Sequence, residues 1–144
     1  MAKSTKLVLD NAILEEEFFE DVHLMGLVAA ETPSRLVWQI TQHSHYHFKR
    51  DVEQDIEVSG QYFPLFTWYE EADMLEHYLI SNQCQGLFML PEVKPVDYLW
   101  MVKGYRFREK EKELLMQFQR TLPAVRMVMD LPTSKIKNRH YLIL

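Results

Sequence analysis

The amino-acid sequence predicts an α+β protein in which a mainly antiparallel β-sheet carries two helices on one face. Residues 62–71 and 74–82 are rich in apolar and aromatic side chains and flank a short acidic turn, which predicts a β-hairpin. Further along, the pattern of a strand in residues 96–103 is followed by that of an amphipathic helix in residues 106–121 and of another strand in residues 125–131. This order of elements is typical of a sheet covered by helices.

The size and composition of the chain predict one globular domain over residues 1–144. Hydrophobic side chains make up 47% of the 144 residues, which is enough for a sizeable core. The net charge of -5, from 21 acidic and 16 basic side chains, argues against nucleic acid as a partner, because that affinity depends on neutralising phosphates. Four basic residues near the C-terminus are interpreted as a solvated group: Lys135, Lys137, Arg139 and His140.

Two further features of the composition bear on location and cofactors. The first residues contain too few consecutive apolar side chains for a signal-peptide core, and no apolar run reaches the roughly 18 residues of a membrane span. The sequence therefore predicts a cytoplasmic protein without membrane contact. Cys84 is the only cysteine, so we interpret it as an ordinary thiol outside any disulfide or thiolate zinc site, and we predict no cofactor.

The N-terminal part of the chain predicts two strands. Residues 6–9 form a short strand candidate that ends at an Asp-Asn turn signal. Residues 13–19 mix the triad Glu15, Glu16 and Glu17 with apolar side chains, their period is ambiguous, and we interpret the triad as a solvated acidic edge. Residues 23–30 predict a strand in which Gly26 allows a bend or the close approach of another backbone.

A short helix and an aromatic hairpin follow. Pro33 favours the first turn of a helix, and the helical spacing of Leu36 and Ile40 predicts that it continues to about His43. In the hairpin, residues 62–69 are aromatic on both faces, and because Pro64 cannot donate to a ladder, this strand is predicted to lie at an edge or to be bulged near its start. An uncovered aromatic edge favours self-association, with Phe66 and Trp68 as interface candidates.

The last two strands and the helix between them complete the predicted order. Alternation in residues 96–103 places Val96, Tyr98, Trp100 and Val102 on one face, and the helix of residues 106–121 is predicted to bury a stripe that includes Leu114. With the hairpin before it, this unit resembles small sandwiches of the ferredoxin-like or ACT type. Such a likeness of fold implies no particular function.

Three histidines alternate along residues 43–47. On a strand His43, His45 and His47 would share a face, but the first and third would lie about 13 Å apart, so they could not form one site by themselves. On a helix His43 and His47 would align instead. They are the metal-ligand candidates of the sequence, although no nearby cysteine or suitably placed carboxylate completes a coordination sphere, so no metal is predicted.

The segment of residues 90–98, Leu-Pro-Glu-Val-Lys-Pro-Val-Asp-Tyr, is the most distinctive part of the chain. It resembles the signature of a small bacterial family, the IPExxxVDY proteins. Leu90 replaces the isoleucine of that signature, while five positions match it: Pro91, Glu92, Val96, Asp97 and Tyr98. The family has no assigned activity, so the resemblance implies a single-domain layout and no particular chemistry.

Two interpretations of this motif predict different functions. Two prolines hold Glu92 and Asp97 in a fixed geometry, which would suit a hydrolytic or metal-assisted enzyme with these two carboxylates as catalytic candidates. Folding could add His43 or His47 to such a site. The same geometry suits a structural clamp, because carboxylates also accept hydrogen bonds from backbone amides in turns. Since the sequence places no nucleophile beside them, we favour the clamp, and with it a small protein-interaction or regulatory module, a possible dimer, over an enzyme.

Overall fold

The structure is a computed structural model of the chain and describes residues 12–144. Within that range the strands are β1 (Val22–Ala29), β2 (Lys49–Arg50), β3 (Ile56–Val58), β4 (Gln61–Phe63), β5 (Leu65–Glu70), β6 (Leu75–Ser81), β7 (Gln83–Cys84), β8 (Leu87–Phe88), β9 (Tyr98–Lys103) and β10 (Val125–Asp130). The α-helices of the same range are α1 (residues 12–19), α2 (Pro33–His43) and α3 (Glu109–Thr121). The protein is thus α+β, as predicted.

Six of the strands form one antiparallel sheet. Its order is β10-β1-β9-β6-β5-β2, and every pair of neighbours runs antiparallel. The predicted hairpin is formed by β5 and β6, which pair from Leu65 with Ile80 to Glu70 with Leu75. Strand β9, which the motif enters, lies inside the sheet between β1 and β6.

The sheet is covered on both faces because its inner strands are apolar on both sides. Helices α2 and α3 pack on one face, here called the helical face, where Leu36 and Leu115 belong to the same core as Trp100. On the opposite face, Phe19 of α1, the β3–β4 hairpin and the C-terminal segment pack against Leu99 and Met101 of β9. Strand β9 is therefore buried on both sides, and its side chains alternate between two cores.

Several predicted boundaries are confirmed and others are corrected. Helix α2 has the predicted start and end. Pro64 interrupts the predicted strand of residues 62–71, since it lies between β4 and β5. The predicted strand of residues 6–9 lies outside the described residues.

The predicted number of helices was wrong. Residues 12–19, whose hydrophobic period is ambiguous, form a third helix. Its Glu15 carboxylate forms an ion pair with Arg139, at 2.7 Å between Oε1 and Nε.

Two side chains also differ from prediction. Leu114 of α3 is 56% exposed, because this helix buries Lys112, Leu115 and Gln119 instead. Val96 belongs to the core opposite that of Tyr98, because β9 begins only at Tyr98.

No helix within residues 12–144 combines the length and the apolar character that are needed to cross a bilayer.

Candidate functional site

The motif of residues 90–98 connects the β7–β8 hairpin to the central strand β9. Pro91–Val93 form a single 3-10 turn, in which the backbone N–H of Lys94 donates to the carbonyl of Pro91. The Lys94–Pro95 peptide bond is cis. The chain then enters β9 at Tyr98. Of the five matching positions, Pro91 and Glu92 lie on the turn, Val96 and Asp97 on the connection after it, and Tyr98 at the start of a buried strand.

Asp97 and Tyr98 hold the connection between β1 and α2. The Asp97 Oδ2 atom accepts a hydrogen bond from the backbone N–H of Ala29 at 2.9 Å, and the hydroxyl of Tyr98 donates to the carbonyl of Glu31. Burial, followed by the charges of Asp97 and Glu31, raises the pKa of the Tyr98 phenol far above its ordinary value. The phenol therefore stays protonated and remains a donor at physiological pH.

Glu92 and Val96 contact two other segments. The Glu92 Oε2 atom accepts a hydrogen bond from the backbone N–H of Asn138 at 2.8 Å and so holds the C-terminal segment. Val96 packs against β1 at Gly26, where a Cβ atom would lie 2.8 Å from Val96 Cγ2. Gly26 thus permits a close approach, as its isolated position in a strand predicted.

Asn82, which sequence reasoning missed, lies at the centre of the motif. Its side chain is fully buried; Oδ1 accepts from the backbone N–H of Leu90 at 2.8 Å, and Nδ2 donates to the carbonyl of Val96 at 2.9 Å. The two ends of the motif are therefore joined through one amide side chain. A lone asparagine after a strand is typical of a turn, so its sequence context gave no signal of this role.

These contacts bear directly on the catalytic interpretation of Glu92 and Asp97. Each carboxylate accepts its hydrogen bond from a backbone amide of a distant segment. Neither of these bonds involves His43 or His47, the two histidines that folding could have added to the carboxylates. The arrangement can hold distant chain segments together.

The three alternating histidines do not converge. His43 is the last residue of α2, and His47 lines a surface cavity beside Lys49 and Tyr69. His45 stacks on Tyr46 and places its Nε2 atom 3.6 Å from Oε1 of Glu70. Within residues 12–144, no three His, Cys, Asp or Glu side chains are placed so that they could hold one metal ion.

A fourth histidine, His77, forms a buried polar contact in the helical face. Its side chain is 1% exposed, and the indole N–H of Trp100 donates to its Nδ1 atom at 3.1 Å. Because an indole can only donate, Nδ1 is the acceptor and the ring proton sits on Nε2. That atom lies 3.4 Å from Oε2 of Glu70, so both ring nitrogens of His77 are engaged.

His77 is surrounded by aromatic rings, and its burial among them keeps the imidazole neutral. Rings of Tyr46, Trp68 and Trp100 lie 5.2 to 6.1 Å from the imidazole, centroid to centroid. Burial lowers the pKa of His77 to about 4, and His45 adds to that shift. Burial and then the charge of Glu70 raise the pKa of Tyr46 to about 12. At neutral pH, the imidazole of His77 and the phenol of Tyr46 are therefore both uncharged.

The interface candidates on β5 have different environments. Phe66 is only 6% exposed and belongs to the core of the helical face, so its ring is not available to a partner. Trp68 is half-buried, and the aromatic side chain that β5 exposes is that of Tyr69, at 54%. Trp68 and Tyr69, with Lys49, line a surface cavity of about 560 Å³.

Comparison of the chain with models of protein families, with curated proteins and with solved structures finds no match. The resemblance of residues 90–98 to the IPExxxVDY signature accordingly stays a prediction from the sequence.

Proposed function

We propose that the protein works by binding and not by catalysis, as a small interaction module that self-associates through the outer edge of β5. The supporting observation is that β2 covers this edge only at two positions, where Lys49 pairs with Thr67 and Arg50 with Phe66. Beyond these two positions, no strand of the described residues pairs with the outer side of Trp68–Glu70. The segment before β2 contacts this part of β5 through side chains, since the His45 ring lies 5.5 Å from that of Trp68 and its Nε2 atom lies 3.6 Å from Oε1 of Glu70. An edge of this kind is a template for pairing with another strand.

The charges along this edge favour a second copy of the chain as the partner. Lys49 is exposed at the end that β2 covers, while Glu71 is exposed just past the other end of β5. In a two-fold antiparallel arrangement, Glu71 of each copy approaches Lys49 of the other. The exposed ring of Tyr69 lies near the centre of such a contact and would be covered by it.

The enzyme alternative has less support. It depends on Glu92 and Asp97, and both carboxylates accept hydrogen bonds from backbone amides. His47, one of the two histidines that could join these carboxylates, instead lines a cavity at the β5 edge, and His45 contacts Glu70. These positions favour a binding role.

We further infer that the core of the fold is a ferredoxin-like sandwich with an enlarged edge. Strands β1, β6, β9 and β10 with α2 and α3 follow the order strand-helix-strand-strand-helix-strand. Both helices contribute to the core of the helical face, and β5 and β2 extend the sheet beyond β6. The extension is the part of the sheet that carries the proposed interface.

Charge reversal with rescue tests the self-association. Sedimentation velocity up to high micromolar concentration should show the unmodified protein as a concentration-dependent dimer. Lys49→Glu and Glu71→Lys should each weaken dimerisation by roughly tenfold, because each places like charges together across the contact. The double variant should restore much of the affinity, since it exchanges the two charges.

A matched control separates this contact from a general charge effect. Lys110 is exposed on α3, away from the β5 edge, so Lys110→Glu should leave the dimer unchanged. A strictly monomeric unmodified protein would refute the self-association. Failure of the double variant to recover any affinity would refute the proposed pairing of Lys49 with Glu71.

A further inference from the structure

A cavity of about 220 Å³ lies between α3 and the end of the hairpin β5–β6. We call it the α3 cavity. Its lining includes the buried side chains His77 and Leu115 as well as the exposed Asp73, Glu111 and Leu114. The inner end of the cavity is therefore lined by buried side chains, and its opening is lined by exposed ones.

Three carboxylates and three aromatic rings share this cavity. The acids are Glu70, Asp73 and Glu111, and the rings are Tyr46, Phe107 and Phe118. The imidazole of His77 adds no positive charge at neutral pH, because its pKa is lowered to about 4. The lining therefore combines three carboxylates with aromatic rings, and the faces of such rings attract cations.

The basic side chains of the described residues do not neutralise these acids by direct ion pairs. The ion pairs of lysine and arginine in that range go to other carboxylates: Glu15, Glu31, Asp55, Glu109 and Asp130. Arg106 is close enough to Asp73 to feel its charge, but its Nε atom donates to the hydroxyl of Tyr105. Within the same range, the ion-pair partners of Glu70 are two histidines, His45 and His77.

We propose that the α3 cavity binds a small organic cation of the alkylammonium class. Aromatic rings together with carboxylates are the combination that recognises ammonium groups, since the rings attract the charge and also cover its alkyl substituents. A bare metal ion fits less well, because no three ligand side chains of the described residues converge on one point. The volume limits the ligand to a few heavy atoms or to the ammonium end of a longer molecule. The proposal does not depend on self-association.

The test titrates the full chain with tetramethylammonium chloride and follows its backbone amide signals by NMR. We expect saturable shifts at residues around the α3 cavity, and none with sodium chloride at the same ionic strength or with tert-butanol, which has a similar shape without the charge. Glu111→Gln should weaken binding by roughly tenfold, because it removes one nearby negative charge. In the unmodified protein Glu111 accepts a hydrogen bond from the backbone N–H of Arg108, and glutamine keeps an acceptor oxygen for that bond.

Glu113→Gln is the matched control. It makes the same change two residues along α3, at an exposed position outside the lining of the α3 cavity, and should leave the affinity unchanged. Phe118→Leu should weaken binding of tetramethylammonium by removing a ring from the wall. Equal shifts with sodium chloride or tert-butanol, no saturable shift at all, or equal affinities for Glu111→Gln and Glu113→Gln would overturn the proposal.

Discussion

The carboxylate of Asp97 accepts a hydrogen bond from the backbone N–H of Ala29, which lies 68 residues earlier in the chain. The ladder between β1 and β9 ends where Leu27 pairs with Tyr98, so Ala29 lies beyond it. The side chain of Asp97 therefore provides the acceptor that the strand backbone no longer supplies. Tyr98 binds the carbonyl of Glu31 in the same connection, and the two residues together fix the path from β1 into α2.

Asn82→Ala should be strongly destabilising. The substitution leaves the buried N–H of Leu90 and the buried carbonyl of Val96 without their side-chain partner, which should cost about 2 to 4 kcal/mol of unfolding free energy. Urea unfolding followed by tryptophan fluorescence measures the loss. Gln83→Ala, at the exposed next position, should change stability by less than about 0.5 kcal/mol. Similar losses for both variants would show that Asn82 does not organise the motif.

Gly26→Ala should also destabilise the protein, for a steric reason. The added Cβ atom would lie 2.8 Å from Val96 Cγ2 and 2.9 Å from Leu131 Cδ1, and overpacking of this kind costs about 1 to 3 kcal/mol. Val96→Ala removes one of the two clashing side chains. In urea unfolding, the double variant should therefore lose less stability than the sum of the two single variants. Strict additivity would argue against the contact between β1 and the motif.

Stability should fall on acidification because of His77. Burial lowers the pKa of His77 in the folded protein to about 4 from its ordinary value of 6.5, so the unfolded chain takes up a proton first as the pH falls. Above pH 6.5 His77 is neutral in both states and the free energy of unfolding is at its full value. As the pH falls toward 4, protonation of the unfolded chain lowers the free energy of unfolding. The full difference corresponds to about 3 kcal/mol.

Urea unfolding at a series of pH values, for the parent and for His77→Gln, measures this effect. Glutamine does not titrate and keeps an acceptor for the indole N–H of Trp100. The variant should be less stable at pH 7, but its stability should decline less steeply between pH 6.5 and 4. Parallel curves for the two proteins would contradict the buried, neutral state of His77.

Local patterns were sufficient to predict much of the sheet and two of its helices. Pro33 and the spacing of Leu36 and Ile40 predicted α2, and a short acidic turn between apolar segments predicted the pairing of β5 with β6. Helix α3 begins three residues later than predicted, at Glu109. Such shifts are expected, because the first turn of a helix depends on capping contacts that periodicity does not show.

The remaining features depend on contacts between distant segments. Helix α1 was missed because three adjacent glutamates obscure its period, and one of them, Glu15, gains its ion pair only from Arg139, 124 residues later. The burial of Asn82 and its contacts with both ends of the motif depend equally on the folded sheet. The α3 cavity joins residues from the β5–β6 turn and from α3, and no spacing in the sequence places Asp73 next to Glu111.

We predict that the motif of residues 90–98 acts as a structural clamp, and the unfolding of Asp97→Ala is a sharp test of this role. We predict a loss of about 1 to 3 kcal/mol, because the N–H of Ala29 loses its acceptor. Glu92→Gln is the comparison variant and should cost less, since Glu92 is exposed and glutamine keeps an acceptor for Asn138. Active sites, by contrast, hold groups whose removal leaves stability unchanged or improves it. A thermal midpoint for Asp97→Ala equal to or above that of the parent would contradict the clamp and favour a catalytic or ligand-binding role for the motif.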